Sequence, residues 1–383
     1  MKVVVAPDSF KESMTAAQAA ASMSAGVHTV FPDADCVEIP MADGGEGTVD
    51  ALVSVLDGSW HAVSTVDALG RPIEAGYGLT PDGLVIIEVA SAVGLGQISP
   101  DQRDIRRASS VGVADLIGDA LDAGATRFII GLGGSATTDC GAGMLAGLGV
   151  TFLAADGTEL TPTPSALAEL DHADLSGLDP RLADVRIELA CDVSNPLLGE
   201  DGAAAVFGPQ KGATPEDVVY LDRILEKVAD ALTAAGAPDV RDQAGAGAAG
   251  GLGAGFLAIG ARMRRGAEVV ADAARLAEAV DGADLVLTGE GGVDFQTLSG
   301  KTPAGVAEVA ARFGLPVIAF AGTIGRGADD LVGNGFEAVV PIMPGPGSLT
   351  DALANGPENL ERAVATAMRL LRLGASSGLA GQS

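Results

Sequence analysis

The stretch D-L-V-L-T-G-E-G-G-V-D-F-Q-T-L-S-G-K-T-P, Asp284 to Pro303, decides how this chain is read. Leu285 to Leu287 is an apolar run of the kind buried in a parallel sheet. Gly289, Glu290, Gly291 and Gly292 follow it, and Gly300-Lys301-Thr302 precedes a helix-like segment. A strand that ends in glycines, an acid and a lysine is where an α/β protein holds a phosphorylated ligand. The tail has the look of a P-loop ending. The first glycine of that pattern would fall on Phe295, however, so Walker A spacing is not met.

Working outward, the same rhythm opens the chain. Lys2 to Ala6 reads as a buried strand, Pro7 to Lys11 as its turn, and Thr15 to Val30 as a helix with Thr15 as N-cap. Asp35 to Pro40 reads as a second strand, followed by Met41 to Thr48 and another helix. These passages predict an α/β protein with a parallel, doubly wound sheet whose ligand crevice lies at the strand carboxyl ends. From about Trp60 the pattern changes to short runs, Val63 to Val66, Ile73 to Thr80 and Leu84 to Val89, with a hairpin turn at Pro81-Asp82-Gly83. A helix over Val111 to Ala123, a strand over Arg127 to Ile130, a hairpin over Val150 to Leu160 around Asp156-Gly157, and strand-loop passages at Arg186 to Cys191 and Ala203 to Phe207 continue it. The Gly/Ala-rich segment Asp242 to Gly260 carries Leu252, Phe256 and Ile259 at helical spacing, which favours a tightly packed helix over a linker. After Asp281 the first rhythm returns at Asp284 to Thr288, Pro316 to Ala321 and Ala338 to Pro341. One domain is therefore expected from residues 1–62 and 283–373, with an inserted α/β domain of mixed or antiparallel strands over 63–282. Residues 374–383 read as a disordered tail.

At 383 residues the chain is long enough for two domains with substantial cores. A net charge of -28 opposes nucleic acid and anionic membrane as partners. It is read as a solvated surface, with a salt-adapted proteome as the lesser explanation. Cys36, Cys140 and Cys191 form no C-x-x-C pair, so neither a disulfide framework nor a zinc site is indicated. The start M-K-V-V-V-A-P-D reaches an acid too soon for a signal peptide, and no apolar run approaches the ~20 residues of a membrane span. The expectation is a cytoplasmic protein. A homodimer is compatible with the sequence but not fixed by it.

Against that acidity the lysines stand out. Lys11, Lys211 and Lys301 lie in Gly/Pro/Ser-rich segments, where a point charge suits an anion and where simple solvation is the plainer alternative. Other loops share the composition: Pro7-Asp8-Ser9-Phe10-Lys11, Asp43 to Thr48, Gly131-Leu132-Gly133-Gly134-Ser135-Ala136-Thr137, Cys191-Asp192-Val193-Ser194-Asn195-Pro196, and Phe207 to Gly212. Glycines let backbone N–H groups approach phosphate oxygens, and carboxylates beside them can hold Mg²⁺ or take a proton from a hydroxyl. Phosphoryl transfer needs these parts together. Each has a structural reading as well: left-handed turns for the glycines, a helix cap for Asp43, a local turn for Asp8 and for Asp192 beside Asn195-Pro196. His28, His61 and His172 lie outside every such loop and there is no G-x-S-x-G elbow, so nucleophilic hydrolase chemistry fits poorly.

The segments A-P-D-S-F-K-E-S, M-A-D-G-G-E-G-T, G-L-G-G-S-A-T-T-D, A-C-D-V-S-N-P-L, V-F-G-P-Q-K-G-A, G-A-G-A-A-G-G-L-G and T-G-E-G-G-V-D-F-Q-T-L-S-G-K closely resemble the bacterial type I glycerate kinases, in family order and across nearly the whole chain. The resemblance implies a Rossmann-like domain made from both chain ends, an inserted α/β domain, and a cleft between them. It implies ATP- and Mg²⁺-dependent phosphorylation of D-glycerate to 2-phosphoglycerate. The family usually has Arg where this chain has Gly292, Asn at Thr138 and Gly at Cys140, and a hydroxyl- and Tyr-containing segment where Ala108 to Asp115 stands. Loss of that arginine removes a bidentate clamp on carboxylate or phosphate; Arg106 and Arg107 are candidates to replace it, with surface solvation as the plainer reading of both.

On this reading Asp192 orients and deprotonates the hydroxyl, with Asp43 second and Lys11 also catalytic. Asp8, Ser9, Lys301 and Asn195 bind the substrate. Gly133, Gly134, Ser135 and Lys211 hold the nucleotide phosphates, and Glu290 and Asp294 approach Mg²⁺. The alternatives are a kinase for a related small hydroxy acid, a GHMP-type kinase prompted by Gly131 to Ala136, and a metabolite-binding homologue that has lost catalysis.

Overall fold

The structure is a computed structural model that describes residues 1–294, 297 and 301–376. Its strands, in chain order, are β1 (Lys2–Val5), β2 (Asp35–Glu38), β3 (Ser59–Val66), β4 (Pro72–Leu79), β5 (Leu84–Glu88), β6 (Arg127–Gly131) and β7 (Thr151–Ala154). They continue with β8 (Leu170–Asp174), β9 (Arg186–Ala190), β10 (Arg262–Arg264), β11 (Leu285–Val293), β12 (Val317–Ile324) and β13 (Ala338–Pro341). The chain divides into two compact units. One combines Met1–Asp43, Asp50–Leu56 and the chain from Gly266 onward; the other combines Gly44–Val49 and Asp57–Arg265.

The first unit is built on a five-stranded sheet in the order β13-β12-β11-β1-β2. Every pair in it is parallel, with Val3 opposite Leu285 and Val3 opposite Cys36. The two chain ends thus share one sheet, as the βα rhythm at both ends predicts. Val3, Val4 and Val5 are fully buried, which suits β-branched residues on a strand covered on both faces. Thr15 caps the helix Ala16–His28: it accepts from the Gln18 N–H at 3.2 Å while Gln18 accepts from the Thr15 N–H at 3.0 Å. This helix packs on Gly356–Ser376, and Gly26 is the reason it can. A Cβ there would stand 2.6 Å from the Glu361 carbonyl oxygen. Met23, Val27, Leu287, Phe320, Val364 and Met368 fill the space between helices and sheet.

The second unit carries a six-stranded mixed sheet in the order β10-β9-β6-β5-β4-β3. β10, β9, β6 and β5 run parallel, and β4 and β3 close the edge antiparallel through the Pro81-Asp82-Gly83 turn and its neighbour. Its core gathers Tyr77, Ile87, Leu116, Phe128, Phe152 and Phe256. The Tyr77 hydroxyl donates to Asp119 at 2.8 Å, which satisfies the one polar atom of that fully buried ring.

Four local readings are corrected. β11 does not end before the glycines but runs through them to Val293, because Gly292 and Val293 still pair with Thr323 and Ile324 of β12. Gly289 is there for close packing, since a Cβ would stand 2.3 Å from the Phe320 carbonyl oxygen. The hairpin around Asp156-Gly157 stands as read, with Leu153 bridged to Glu159 and the Leu160 N–H donating to the Phe152 carbonyl at 2.8 Å; β7 also pairs with β8, an antiparallel neighbour later in the chain. Ala203–Phe207 is a short helix rather than a strand; a five-residue apolar run has no decisive period, and its alanines favour helix. Within Asp242 to Gly260 the helix is confined to Leu252–Ala258, preceded by a 3₁₀ turn, Ala248–Gly251, with left-handed Ala249, Gly250 and Gly251. Gly250 lies against the 137–140 loop: a Cβ there would be 1.9 Å from the Thr137 carbonyl oxygen. At the C-terminus the helix Gly356–Ser376 enters the segment read as a tail, and residues 377–383 lie outside the described residues.

Candidate functional site

In the first unit, the parallel pairing of β1 and β11 delivers their carboxyl ends side by side. Asp8 follows β1, and its N–H donates to the Gly289 carbonyl at 2.8 Å, tying the loop to β11. Its carboxylate accepts from the Ser9 N–H at 2.6 Å and from the Thr302 hydroxyl at 2.5 Å. Burial, reinforced by the charge of Asp43, pushes Asp8 up to about 6 against those two hydrogen bonds. Glu290, on β11, is pushed up to about 7, chiefly by burial; Lys301 and the Thr297 hydroxyl, which donates at 3.0 Å, work against that, and the charges of Asp8 and Asp43 add to it. Lys301 stands 3.8 Å from Glu290 and 3.9 Å from Asp294. It is also the N-cap residue of the helix Thr302–Ala311. Lys11 is exposed, and its backbone passes close to Gly291, where a Cβ would stand 3.4 Å from the Lys11 nitrogen.

Asp8, Asp43, Glu290, Asp294, Lys11 and Lys301 therefore belong to one unit, with Ser9 contributing its N–H to Asp8. Gln296 and Gly300, which carry part of the sequence signature, lie outside the described residues. Two participants were not singled out by the sequence reading as ligands of the acids: Thr302 and Thr297. The signal for Thr302 was its place beside Lys301 at a helix start; its partner lies 294 residues earlier, where no local pattern points. The cluster holds more carboxylates than lysines, and so attracts a cation. Among the described residues no group of three His, Cys, Asp or Glu side chains is placed to hold a metal by itself. Mg²⁺ does not need one, since it is usually held by one or two carboxylates together with phosphate oxygens and water.

In the second unit, Gly133, Gly134 and Ser135 follow β6. Gly133 and Gly134 are exposed, and Gly134 is left-handed at φ 74°. The Gly134 carbonyl accepts from Leu95 at 2.7 Å and the Ala136 N–H donates to Val93 at 2.8 Å, which anchors the loop's flanks. Among the described residues none accepts from the N–H groups of Gly133, Gly134 or Ser135. A left-handed glycine between free amides is the ingredient of an anion-binding nest. Gly44 and Gly45 lie alongside: a Cβ on Gly133 would be 3.0 Å from the Gly45 Cα, and one on Gly131 2.3 Å from the Gly44 carbonyl oxygen.

Lys211 differs from its sequence appearance. It is buried, and its ammonium donates to the Ser135 hydroxyl at 3.0 Å and to the Thr137 carbonyl at 2.6 Å. Burial pulls it down to about 7, with Asp139 opposing. Asp139, a residue the sequence reading did not single out, is fully buried and accepts from the Ser110 N–H and hydroxyl and from the Gly141 and Gly143 N–H groups. Burial raises its pKa and those donors counter it. The lone acid in an otherwise uncharged G-S-A-T-T-D run was the available signal. Asp192 is exposed, just past β9. Asn195 donates its amide to the Asp201 carbonyl at 2.8 Å and accepts the Gly247 N–H on its own carbonyl at 3.0 Å, so it shapes its loop.

Comparison with known proteins bears on this arrangement. The family model described as "Glycerate kinase family" matches residues 3–372. A glycerate kinase of Haemophilus influenzae is 46% identical over 97% of this chain and 98% of its own length. A glycerate 2-kinase of Escherichia coli is 42% identical over 98% of this chain and 99% of its own. A crystal structure from Salmonella typhimurium LT2, designated a glycerate kinase 2, superposes with a TM-score of 0.89 at 45% identity and covers 98% of this chain and 99% of that one. Among the described residues no helix is long and apolar enough to cross a membrane.

Proposed function

We infer, because the chain belongs to the glycerate kinase family, that it transfers the γ-phosphoryl group of ATP to a hydroxyl of D-glycerate, giving 2-phosphoglycerate. The observation that carries the reading is the cluster around Lys301, a lysine at a helix start 3.8 Å from Glu290, where the Asp8 carboxylate is bonded to the neighbouring Thr302 hydroxyl and is pushed up to about 6. Groups that exchange a proton near working pH are what general acid–base chemistry requires.

In this account Gly133, Gly134 and Ser135 hold nucleotide phosphate oxygens through their free N–H groups. Lys11 and Lys301 face anionic substrate groups, the glycerate carboxylate or the phosphoryl group in transfer, and lower the cost of bringing two anions together. Glu290 and Asp294 would hold Mg²⁺, which neutralises phosphate charge when bound. Asp192, exposed past β9, takes the hydroxyl proton. Asp8 is the competing acceptor, because burial has already matched it to neutral pH. Single asparagine variants separate the two. Asp192→Asn should lower kcat by about two or more orders of magnitude, as for loss of a positioned base, while nucleotide binding persists. Near-normal turnover in Asp192→Asn together with its loss in Asp8→Asn transfers the role to Asp8.

A further inference from the structure

A buried lysine is costly, because its charge loses water that two hydrogen bonds replace only in part. Lys211 is 3% exposed, yet the fold keeps it against a loop in which, among the described residues, nothing accepts from the N–H groups of Gly133, Gly134 or Ser135. Its bonds there are specific in sense. In its charged form the ammonium can only donate, so the Ser135 Oγ at 3.0 Å then accepts. The Ser135 hydroxyl hydrogen is then left to donate, and among the described residues nothing receives it. The second bond, to the Thr137 carbonyl at 2.6 Å, fixes the far side of the same loop. Gly133 and Gly134, at the exposed tip, present donors as well. The tip therefore offers N–H and O–H hydrogens with a buried positive charge behind them. In dry surroundings that charge is felt more strongly than it would be in water.

We propose that Lys211 is a positioning residue for phosphoryl binding: it does not contact the phosphate but holds Ser135 as an obligate donor and fixes the Gly133–Thr137 loop so that its N–H groups and the Ser135 hydroxyl together receive a polyphosphate oxygen. This deepens the nucleotide-binding part of the proposed function and rests on it. The role differs from that of Lys11 and Lys301, which are not buried and can meet an anion directly. Asp139 is the charged group that faces Lys211; its own acceptor sites are taken up by Ser110, Gly141 and Gly143, which leaves the lysine's bonds for the loop.

The test is a double-mutant cycle read by equilibrium binding, with Ser135→Ala, Lys211→Met and the pair, using tripolyphosphate and ATP as calorimetric probes and full-length protein. Each single variant should weaken tripolyphosphate roughly ten- to hundredfold, the range of one hydrogen bond to a charged group. The pair should be no weaker than the weaker single, because the lysine acts through the serine. A merely structural lysine would lower the melting temperature and leave the affinity of the folded protein intact, which overturns the proposal; so do independent, multiplicative losses. If Lys211→Met does not fold, Ser135→Ala alone decides: an unchanged affinity for tripolyphosphate overturns the proposal and a loss in that range supports it. Because binding is read without turnover, a wild-type protein that binds tripolyphosphate but never phosphorylates glycerate refutes the kinase reading and leaves this inference standing.

Discussion

Thr302→Val isolates one hydrogen bond in the acid cluster. The Thr302 hydroxyl donates to Asp8 at 2.5 Å and favours the ionised carboxylate, while burial and Asp43 push the other way to leave Asp8 at about 6. A hydrogen bond to a charged group is worth about 1.5–3 kcal/mol, and one pKa unit corresponds to about 1.36 kcal/mol. Removing it should therefore raise Asp8 by about 1–2 units. Valine keeps the shape of threonine, so the start of the helix Thr302–Ala311 is retained. The assay is kcat/KM for D-glycerate between pH 5.5 and 9. If turnover needs Asp8 ionised, the acid limb moves up by the same 1–2 units and the alkaline plateau changes little. A plateau that falls while the limb stays in place would refute the reasoning, because the limb would then report some other group.

Three further outcomes follow from the same geometry. Glu290 has a folded-state pKa above its ordinary value, so its contribution to stability is fully present below about 4.5 and is lost as pH rises through about 7. Glu290→Gln should accordingly match the wild type in melting temperature near pH 5 and exceed it near pH 8, with no gain at pH 8 counting against the raised pKa. Mg²⁺ should raise the wild-type melting temperature more at pH 8 than at pH 5, because it favours the ionised cluster, and Glu290→Gln should blunt that difference. Gly292 faces open space, with nothing within 4 Å of a Cβ placed there, so Gly292→Arg should fold normally and lower KM for D-glycerate by restoring a guanidinium; an unchanged KM removes that position from carboxylate recognition.

The sheet was legible because its signals are local. Lys2 to Val5 is a continuous apolar run after its first residue, Thr15 and Gln18 stand at capping-box spacing, and Pro81-Asp82-Gly83 is a turn by composition. The continuation of β11 was hidden because Gly289, Gly291 and Gly292 look like a turn when read alone. Their strand geometry is imposed by β12, a partner that appears only once the sheet is assembled. β8 and the Gly250–Thr137 contact were missed for the same reason, since each depends on a distant neighbour. In the site, the loops and their acids and lysines could be read from composition. Their environments could not. Asp8 and Glu290 titrate where they do because of burial and of Asp43, Lys301, Thr297 and Thr302, none of which a linear motif orders in space. Lys211 shows the limit most clearly, as a loop lysine in the sequence that is buried beneath the Gly133–Ser135 loop in the fold.

Cys140 carries a related lesson. It is buried with φ 58°, a left-handed conformation that favours glycine, and it stands where the resembling family usually has glycine. The backbone shape of this loop is thus kept even where the residue best suited to it is not.

One reaction is the most direct test of the kinase activity: purified protein with Mg-ATP and D-glycerate, ADP release followed, and the product offered to enolase. The result expected is ADP release that depends on D-glycerate and a product that enolase consumes directly, as 2-phosphoglycerate. No ADP release with D-glycerate, but release with another hydroxy acid, would contradict it.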